Sequence, residues 1–167
     1  MIEVRWHARA GQGAKTAAQL LAEAMLRAGK SVQAFPEYGP ERRGAPMRAY
    51  TRIDDKPIRR HDSVTEPDMV VVLDGSLVRE GDVTDGLAED GLVLLNAAQI
   101  PPELSGRRVA CVPVDENVNV AMLGAIAAAL GEPSVDDVTA AVVALLGRKA
   151  DAAALRASVE EGYACLA

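Results

Sequence analysis

Cysteine is nearly absent: the 167 residues hold two, Cys111 and Cys165. Two thiols cannot supply the four thiolates that hold an iron–sulfur cluster, so no such cluster is expected within this chain. They give no disulfide framework either, which makes a reducing cytoplasm the expected compartment and small buried hydrophobes the expected roles. Aromatic residues make up 3% of the chain against 49% hydrophobic residues overall, so the core has to be built from Ala, Val, Leu, Ile and Met. There is no excess of positive charge: the formal net charge of −6 argues against non-specific nucleic-acid binding. No apolar run is long enough to span a bilayer. Met1-Ile2-Glu3-Val4-Arg5 is not a basic-then-apolar signal sequence and reads as a strand. The only two histidines, His7 and His61, are far apart in sequence, and no HxxxH, CxxC or paired-carboxylate spacing signals a metal. No Ser–His–Asp or Cys–His set stands out. A chain this poor in catalytic groups is expected to be a binding domain or a subunit, and its length suits one domain over residues 1–167.

What the chain does have is a stiff loop. Phe35-Pro36-Glu37-Tyr38-Gly39-Pro40-Glu41-Arg42-Arg43-Gly44-Ala45-Pro46 carries three prolines, which exclude a helix interior and a central strand. Each proline also restricts the residue before it. Tyr38, Arg42 and Arg43 are residue types that build contact surfaces, so the loop reads as a docking element; the alternative is an ordinary surface turn.

Around this loop the periodicity predicts an α/β fold: a Rossmann-like three-layer domain with a mostly parallel sheet, an antiparallel hairpin and C-terminal helices. Ile2 to His7 alternates as a strand, with Ile2, Val4 and Trp6 on one side and Glu3 and Arg5 on the other. Gly11-Gln12-Gly13 is a tight turn. Ala14 to Ala28 has helical spacing, Gly29 stops it, and Ser31 to Phe35 is a second strand, giving a right-handed parallel βαβ unit. Free N–H groups where the glycine turn opens the helix favour an anion. The turn lacks the third glycine of a dinucleotide fingerprint and the Gly-Lys-Ser/Thr of a P-loop. Glu37 nevertheless stands where a ribose-binding acid would. The plainer alternative is that these glycines only let the helix pack closely on the sheet.

Met47 to Ile53 alternates as a strand with one wet face, and Ile58 to Arg60 is read as its short return. Arg42, Arg43, Arg48, Arg52, Arg59 and Arg60 fall close together in an acidic protein, as solvated charges or as an edge suited to carboxylate or phosphate. Met69 to Leu73, Gly91 to Asn96 and Arg107 to Val114 read as further strands, the first two buried on both faces. Asp74 and Ser76 stand at a strand's carboxyl end, where ligands and partners meet the loops of an open α/β sheet; the plainer alternative is that they are helix caps. A helix of small residues from Asp115 to Leu130 is expected to pack very closely, on the sheet or on a second chain. Ser134 caps a helix through Leu146, and Asp151 to Leu166 is the last helix.

Several of these stretches together resemble the gamma subunit of the 2-oxoacid:ferredoxin oxidoreductases, the pyruvate/ketoisovalerate family. The likeness is carried by Trp6-His7-Ala8-Arg9-Ala10-Gly11-Gln12-Gly13 with Thr16-Ala17-Ala18, by the loop from Phe35 to Pro46, by Glu66-Pro67-Asp68 and by Val72-Leu73-Asp74. Ala8 and Ala10 stand where the family often has glycine, which stiffens the turn. The resemblance implies a part of a hetero-oligomer that oxidatively decarboxylates a 2-oxoacid to an acyl-CoA and passes electrons to ferredoxin. It implies alpha, beta and delta-type partner subunits, with thiamine diphosphate and the iron–sulfur clusters on those partners. No catalytic residue and no cofactor held by this chain alone is then expected; coenzyme A is the one cofactor implied to face it. Gly11, Gln12, Gly13, Arg42 and Arg43 are the expected coenzyme A or subunit contacts, and Glu37, Tyr38, Glu41, Arg48 and Arg52 the expected interface. The competing class is a free-standing nucleotide-binding or regulatory α/β domain that uses the same glycine turn.

Overall fold

The computed structural model describes residues 1–37 and 44–167. A six-stranded sheet has the order β2-β3-β1-β4-β5-β6, with β1 Ile2–Arg9, β2 Ser31–Pro36, β3 Pro46–Asp54, β4 Met69–Val72, β5 Leu92–Leu95 and β6 Arg108–Cys111. The helices are α1 Ala14–Arg27, α2 Val118–Leu130, α3 Val135–Leu146 and α4 Ala152–Ala164. β1, β4, β5 and β6 run parallel. β3 is antiparallel to both of its neighbours, β1 and β2.

The expected βαβ unit is therefore modified. β1 and β2 point the same way, but β3 is inserted between them. Its register with β1 runs from Ile2↔Ile53 to Arg9↔Pro46. The antiparallel hairpin is β2–β3; residues 58–60 form no strand. Inserted between two strands, β3 has no wet face over most of its length: Tyr50 and Arg52 are buried along with Ala49, Thr51 and Ile53.

All four helices contribute to one core on one face of the sheet, with Val4, Trp6, Ala8, Met69, Val71, Leu92 and Leu94. The third layer of the expected sandwich is irregular chain rather than helix. Two 3-10 turns, Gly75–Arg79 and Pro102–Leu104, supply Leu77, Val78 and Leu104, and the chain between them supplies Val83 and Leu87. These cover Val70, Val72, Val93 and Leu95 on the second face. Buried on both faces, β4 and β5 are the continuous apolar runs such strands require.

On the first face the Trp6 indole donates to Thr51 Oγ1 (3.1 Å), whose hydroxyl donates to the Ala18 carbonyl of α1 (3.1 Å). The Trp6 and Thr51 polar groups buried here are thus satisfied. The small-residue helix α2 packs on α4 of the same chain. Cβ atoms placed on Gly124 and Gly162 would lie 1.9 and 1.8 Å from the opposing carbonyl oxygens of Val159 and Ala121. Neither cysteine is fully buried, contrary to expectation. Cys111 ends an edge strand and is half-buried, and Cys165 lies beyond α4 and is exposed. Among the described residues no helix is long and apolar enough to cross a membrane.

Candidate functional site

The carboxyl ends of β1 and β4 bring together the residues that the sequence singles out around the glycine turn. Gly11 and Gly13 both adopt positive φ, 99° and 85°. L-residues avoid that region, so the turn needs glycine at both positions. Gly13 is also the N-cap of α1, and no side chain caps the helix. A Cβ there would lie 2.7 Å from Asn119 Nδ2, so the start of α2 packs directly on the turn. Asn117, the N-cap of α2, is itself left-handed (φ 47°) and gives that helix no side-chain cap. Its amide is turned away to Ser158 Oγ at 3.1 Å. Two helix N-termini thus meet at Gly13 and Asn119. The N–H groups of Lys15 and Thr16 on one side, and of Val118 and Asn119 on the other, have no acceptor among the described residues. This is the electrostatic setting of an anion site.

The other side of the turn is filled by the protein's own charges. Gln12 Oε1 accepts from the Arg9 amide (2.7 Å) and Gln12 Nε2 donates to Asp74 Oδ2 (2.9 Å). Arg9 Nε donates to the same Asp74 oxygen (3.2 Å), and Arg9 Nη2 to Ser76 Oγ (2.7 Å) and to Glu80. Arg9 Nη1 reaches the Gly44 carbonyl at 3.3 Å, and the Ala10 amide donates to the Ala45 carbonyl at 2.9 Å. Arg9 therefore ties the glycine turn, the start of β3 and the first 3-10 turn into one unit. Asp74 is the cap that was expected, accepting from the Ser76 amide at 3.0 Å. The Ser76 hydroxyl, and then Gln12 and Arg9, hold its carboxyl below the usual range. Asp74→Ala removes the acceptor shared by three residues, Arg9, Gln12 and Ser76. It is expected to cost about 1–2 kcal/mol, read as a lowered urea midpoint with unchanged slope.

On the second face, three rows of side chains cross β1, β3 and β2. The first is Glu3, Arg52 and Gln33. Arg52 is fully buried and is not the interface residue expected from the sequence. Its Nε donates to Glu3 (2.7 Å), Nη1 to Gln33 (3.0 Å) and Nη2 to the Asp62 carbonyl (2.7 Å), and it lies 5.4 Å from the Phe35 ring centroid. The second row is Arg5, Tyr50 and Phe35. The third is His7 and Arg48, with Glu37 joined to β3 by its amide on the Arg48 carbonyl (3.0 Å). Glu37 is not free for a ribose: its carboxylate accepts from the Tyr50 hydroxyl and lies 4.0 Å from Arg48. Burial first, then the bond to Glu37, pushes Tyr50 up to about 12. Arg48 is half-exposed at the surface, as the interface reading requires. Tyr38, Glu41, Arg42 and Arg43 lie outside the described residues.

Sequence reasoning missed Arg9 and Asn119. Arg9 was legible as the one charge in an Ala-Gly turn, and Asn119 as the second asparagine of Asn117-Val118-Asn119 before a helix of small residues. The described residues contain no cluster of His, Cys, Asp and Glu able to hold a metal ion.

Residues 3–165 match the family model described as pyruvate ferredoxin/flavodoxin oxidoreductase. The chain is 46% identical over 157 residues to the pyruvate/ketoisovalerate oxidoreductases common subunit gamma of Pyrococcus abyssi, covering 85% of each chain. It is 49% identical over 152 residues to pyruvate synthase subunit PorC of Methanothermobacter marburgensis, covering 81% of each. The crystal structure of pyruvate oxidoreductase subunit PORC of Thermotoga maritima superposes with a TM-score of 0.83 at 36% identity, over 98% of this chain and 95% of that one. With the mixed sheet, the glycine turn and the match along nearly its whole length, the chain belongs to the pyruvate ferredoxin/flavodoxin oxidoreductase family.

Proposed function

We propose that this chain is the gamma-type subunit of a 2-oxoacid:ferredoxin oxidoreductase, and that the meeting point of α1 and α2 faces the phosphates of coenzyme A in the assembled enzyme. The first half rests on the relatives, which are named as gamma or PorC subunits of pyruvate and ketoisovalerate oxidoreductases. Thiamine diphosphate, the clusters and the 2-oxoacid pocket then belong to alpha, beta and delta-type partners, with ferredoxin reached through the complex. Two unpaired cysteines suit a cytoplasmic enzyme.

The observation that carries the coenzyme A reading is the pair of uncapped helix N-termini joined at Gly13 and Asn119. Anions are stabilised within the first turn of a helix, and two such turns share this spot. The phosphates belong on the α2 side of the turn. On the other side Asp74 supplies a carboxylate, and Gln12 is committed to Asp74 and Arg9, so Gln12 positions the turn. Gly11 and Gly13 shape it, and Arg42 and Arg43 of the proline loop are the cations proposed to complete the contact. The same carboxylate, and a Glu37 already engaged by Tyr50 and Arg48, weigh against a free-standing dinucleotide-binding domain.

Asn119→Asp places a negative charge at the spot. In the assembled enzyme it is expected to raise the KM for coenzyme A about tenfold, the equivalent of about 1.4 kcal/mol, and to leave the KM for the 2-oxoacid unchanged. KM values for coenzyme A unchanged from the wild type in this variant and in Arg42→Ala/Arg43→Ala would remove the coenzyme A reading and leave the subunit assignment standing.

A further inference from the structure

Two arginines buried side by side on the second face of the sheet are treated very differently. Arg52, in the first row, has the Glu3 carboxylate at 2.7 Å and an Asp62 carboxylate oxygen at 3.4 Å. Arg5, in the next row, is 3% exposed and pairs with no carboxylate among the described residues. Its Nε donates to His7 Nε2 at 3.1 Å, and its Nη2 to the Val83 and Asp85 carbonyls at 3.1 and 2.5 Å. Nη1 has no acceptor among the described residues. A buried guanidinium satisfied only by neutral acceptors costs several kcal/mol relative to one with a counter-ion.

The neighbours deepen the imbalance. His7 accepts from Arg5 through Nε2, so its proton sits on Nδ1 and that edge of the ring is a donor. No acceptor for Nδ1 is found among the described residues. Arg48, directly across the strand pair from His7, brings a second guanidinium. It acts on both Arg5 and His7 as a like charge. Its one carboxylate neighbour among the described residues, Glu37, is 4.0 Å away and already takes the Tyr50 hydroxyl. The nearest acids to Arg5, Asp82 and Asp85, bond it only through the Asp85 backbone, while the Asp82 carboxylate holds the Thr84 amide and hydroxyl at 2.8 Å. Among the described residues the result is a floor of donors, Arg5 Nη1, His7 Nδ1 and Arg48, with no acceptor above it, in a chain whose net charge is −6.

We propose that this floor seats a carboxylate, an Asp or Glu side chain of a partner subunit, docked across the third row at Arg48 and His7. The proposal rests on the gamma-subunit reading, which supplies the partner. Charge complementarity is its basis: the carboxylates of Asp82 and Asp85 act on Arg5 only through space, and the acid adds a further negative charge beside it while accepting from His7 without disturbing the Arg5–His7 bond. The acid reaches Arg48 directly and stabilises Arg5 through space and through His7.

The test uses the co-expressed complex. The affinity of this chain for its partners is measured at several salt concentrations for the wild type, Arg48→Glu and Arg48→Lys. Arg48→Glu is expected to weaken association at least tenfold and to flatten its salt dependence; Arg48→Lys is expected to lose threefold or less. Arg48 is at the surface, so the folded chain survives the change, and its urea unfolding is compared with the wild type to confirm this. Unchanged association of Arg48→Glu while the wild type assembles overturns the proposal and leaves the subunit reading intact. Failure of the wild type to assemble sinks the subunit reading, and this proposal with it. A wild-type chain stabilised by millimolar acetate or phosphate, with the effect lost in Arg48→Glu and assembly unaffected, also overturns it and assigns the floor to a small anion.

Discussion

Alanine in place of Gly124 or of Gly162 is expected to destabilise the protein by about 3 kcal/mol or more, the overpacking cost where the obstacle cannot move aside. The sign is opposite to the one helix propensity gives, because Gly→Ala inside an unhindered helix gains about 1 kcal/mol. Packing wins here because what each added methyl meets is backbone. At Gly124 it would lie 1.9 Å from the Val159 carbonyl oxygen and 2.8 Å from the Tyr163 nitrogen; at Gly162 it would lie 1.8 Å from the Ala121 oxygen. No rotamer change relieves a clash with a helix backbone, so α2 and α4 have to move apart. That movement opens the core around Leu123, Ile126, Leu155 and Val159, all nearly or fully buried. A loss of this size is a large share of the stability of an ordinary domain. Both substitutions force the same separation, so the double variant is expected to lose less than the sum of the two. Gly81→Ala, where an added Cβ meets nothing within 4 Å, is the control and is expected to be neutral. Urea unfolding of the four variants and the wild type checks this; a Gly124→Ala chain as stable as the wild type would show that the helices do not cross as described.

How legible this was in the sequence differs from element to element. The strand, glycine turn and helix from Ile2 to Arg27 could be read because period two gives way to period 3.6 across two glycines. The buried runs of β4 and β5 and the caps Asp74 and Ser134 were equally plain, and each cap accepts a backbone N–H of the turn it opens; that Asp151 caps the last helix in the same way came from the structure. The position of β3 was not legible. Alternation reports that a strand has two faces, and says nothing of which strands will flank it. Arg48, Tyr50 and Arg52 therefore read as a wet face, when insertion between β1 and β2 buries the last two. The burial of Arg52 depends on Glu3, forty-nine residues away, and on Asp62 beyond an irregular segment. Such long-range pairing leaves no local pattern. The small-residue composition of α2 announced a close approach, but the partner became visible only once Gly162 was seen to face Ala121. At the candidate site, the glycines were found from sequence, while the second helix N-terminus at Asn117 and Asn119 required the fold.

His7→Gln is expected to remove most of the acid sensitivity of the fold between pH 6.5 and pH 4. His7 is 6% exposed. Burial first, then the nearby charges of Arg5 and Arg48, lower its pKa from 6.5 to about 3. The native chain therefore keeps the ring neutral down to about pH 3, whereas the unfolded chain takes up a proton from about pH 6.5. With more protons bound by the unfolded state in that window, stability falls as pH falls, by up to about 1.4 kcal/mol per pH unit. From pH 6 to pH 4 the loss is roughly 2 kcal/mol. Above pH 6.5 the ring is neutral in both states and contributes no slope. The carboxylates act lower. Asp62, held down to about 2 chiefly by its bond to Arg60, contributes stability that is present above its unfolded value of 3.8 and lost between there and about 2. The two effects share a direction but occupy different windows, so they separate in a pH series. Glutamine is the diagnostic replacement because it keeps an acceptor for Arg5 Nε, which His7 Nε2 supplies at 3.1 Å, and cannot titrate. Urea unfolding of wild type and variant from pH 7 to pH 4 gives the answer. The variant is expected to lie near the wild type at pH 7 and above it at pH 4. Parallel curves over that range would mean that His7 is not the group that takes up the proton on unfolding.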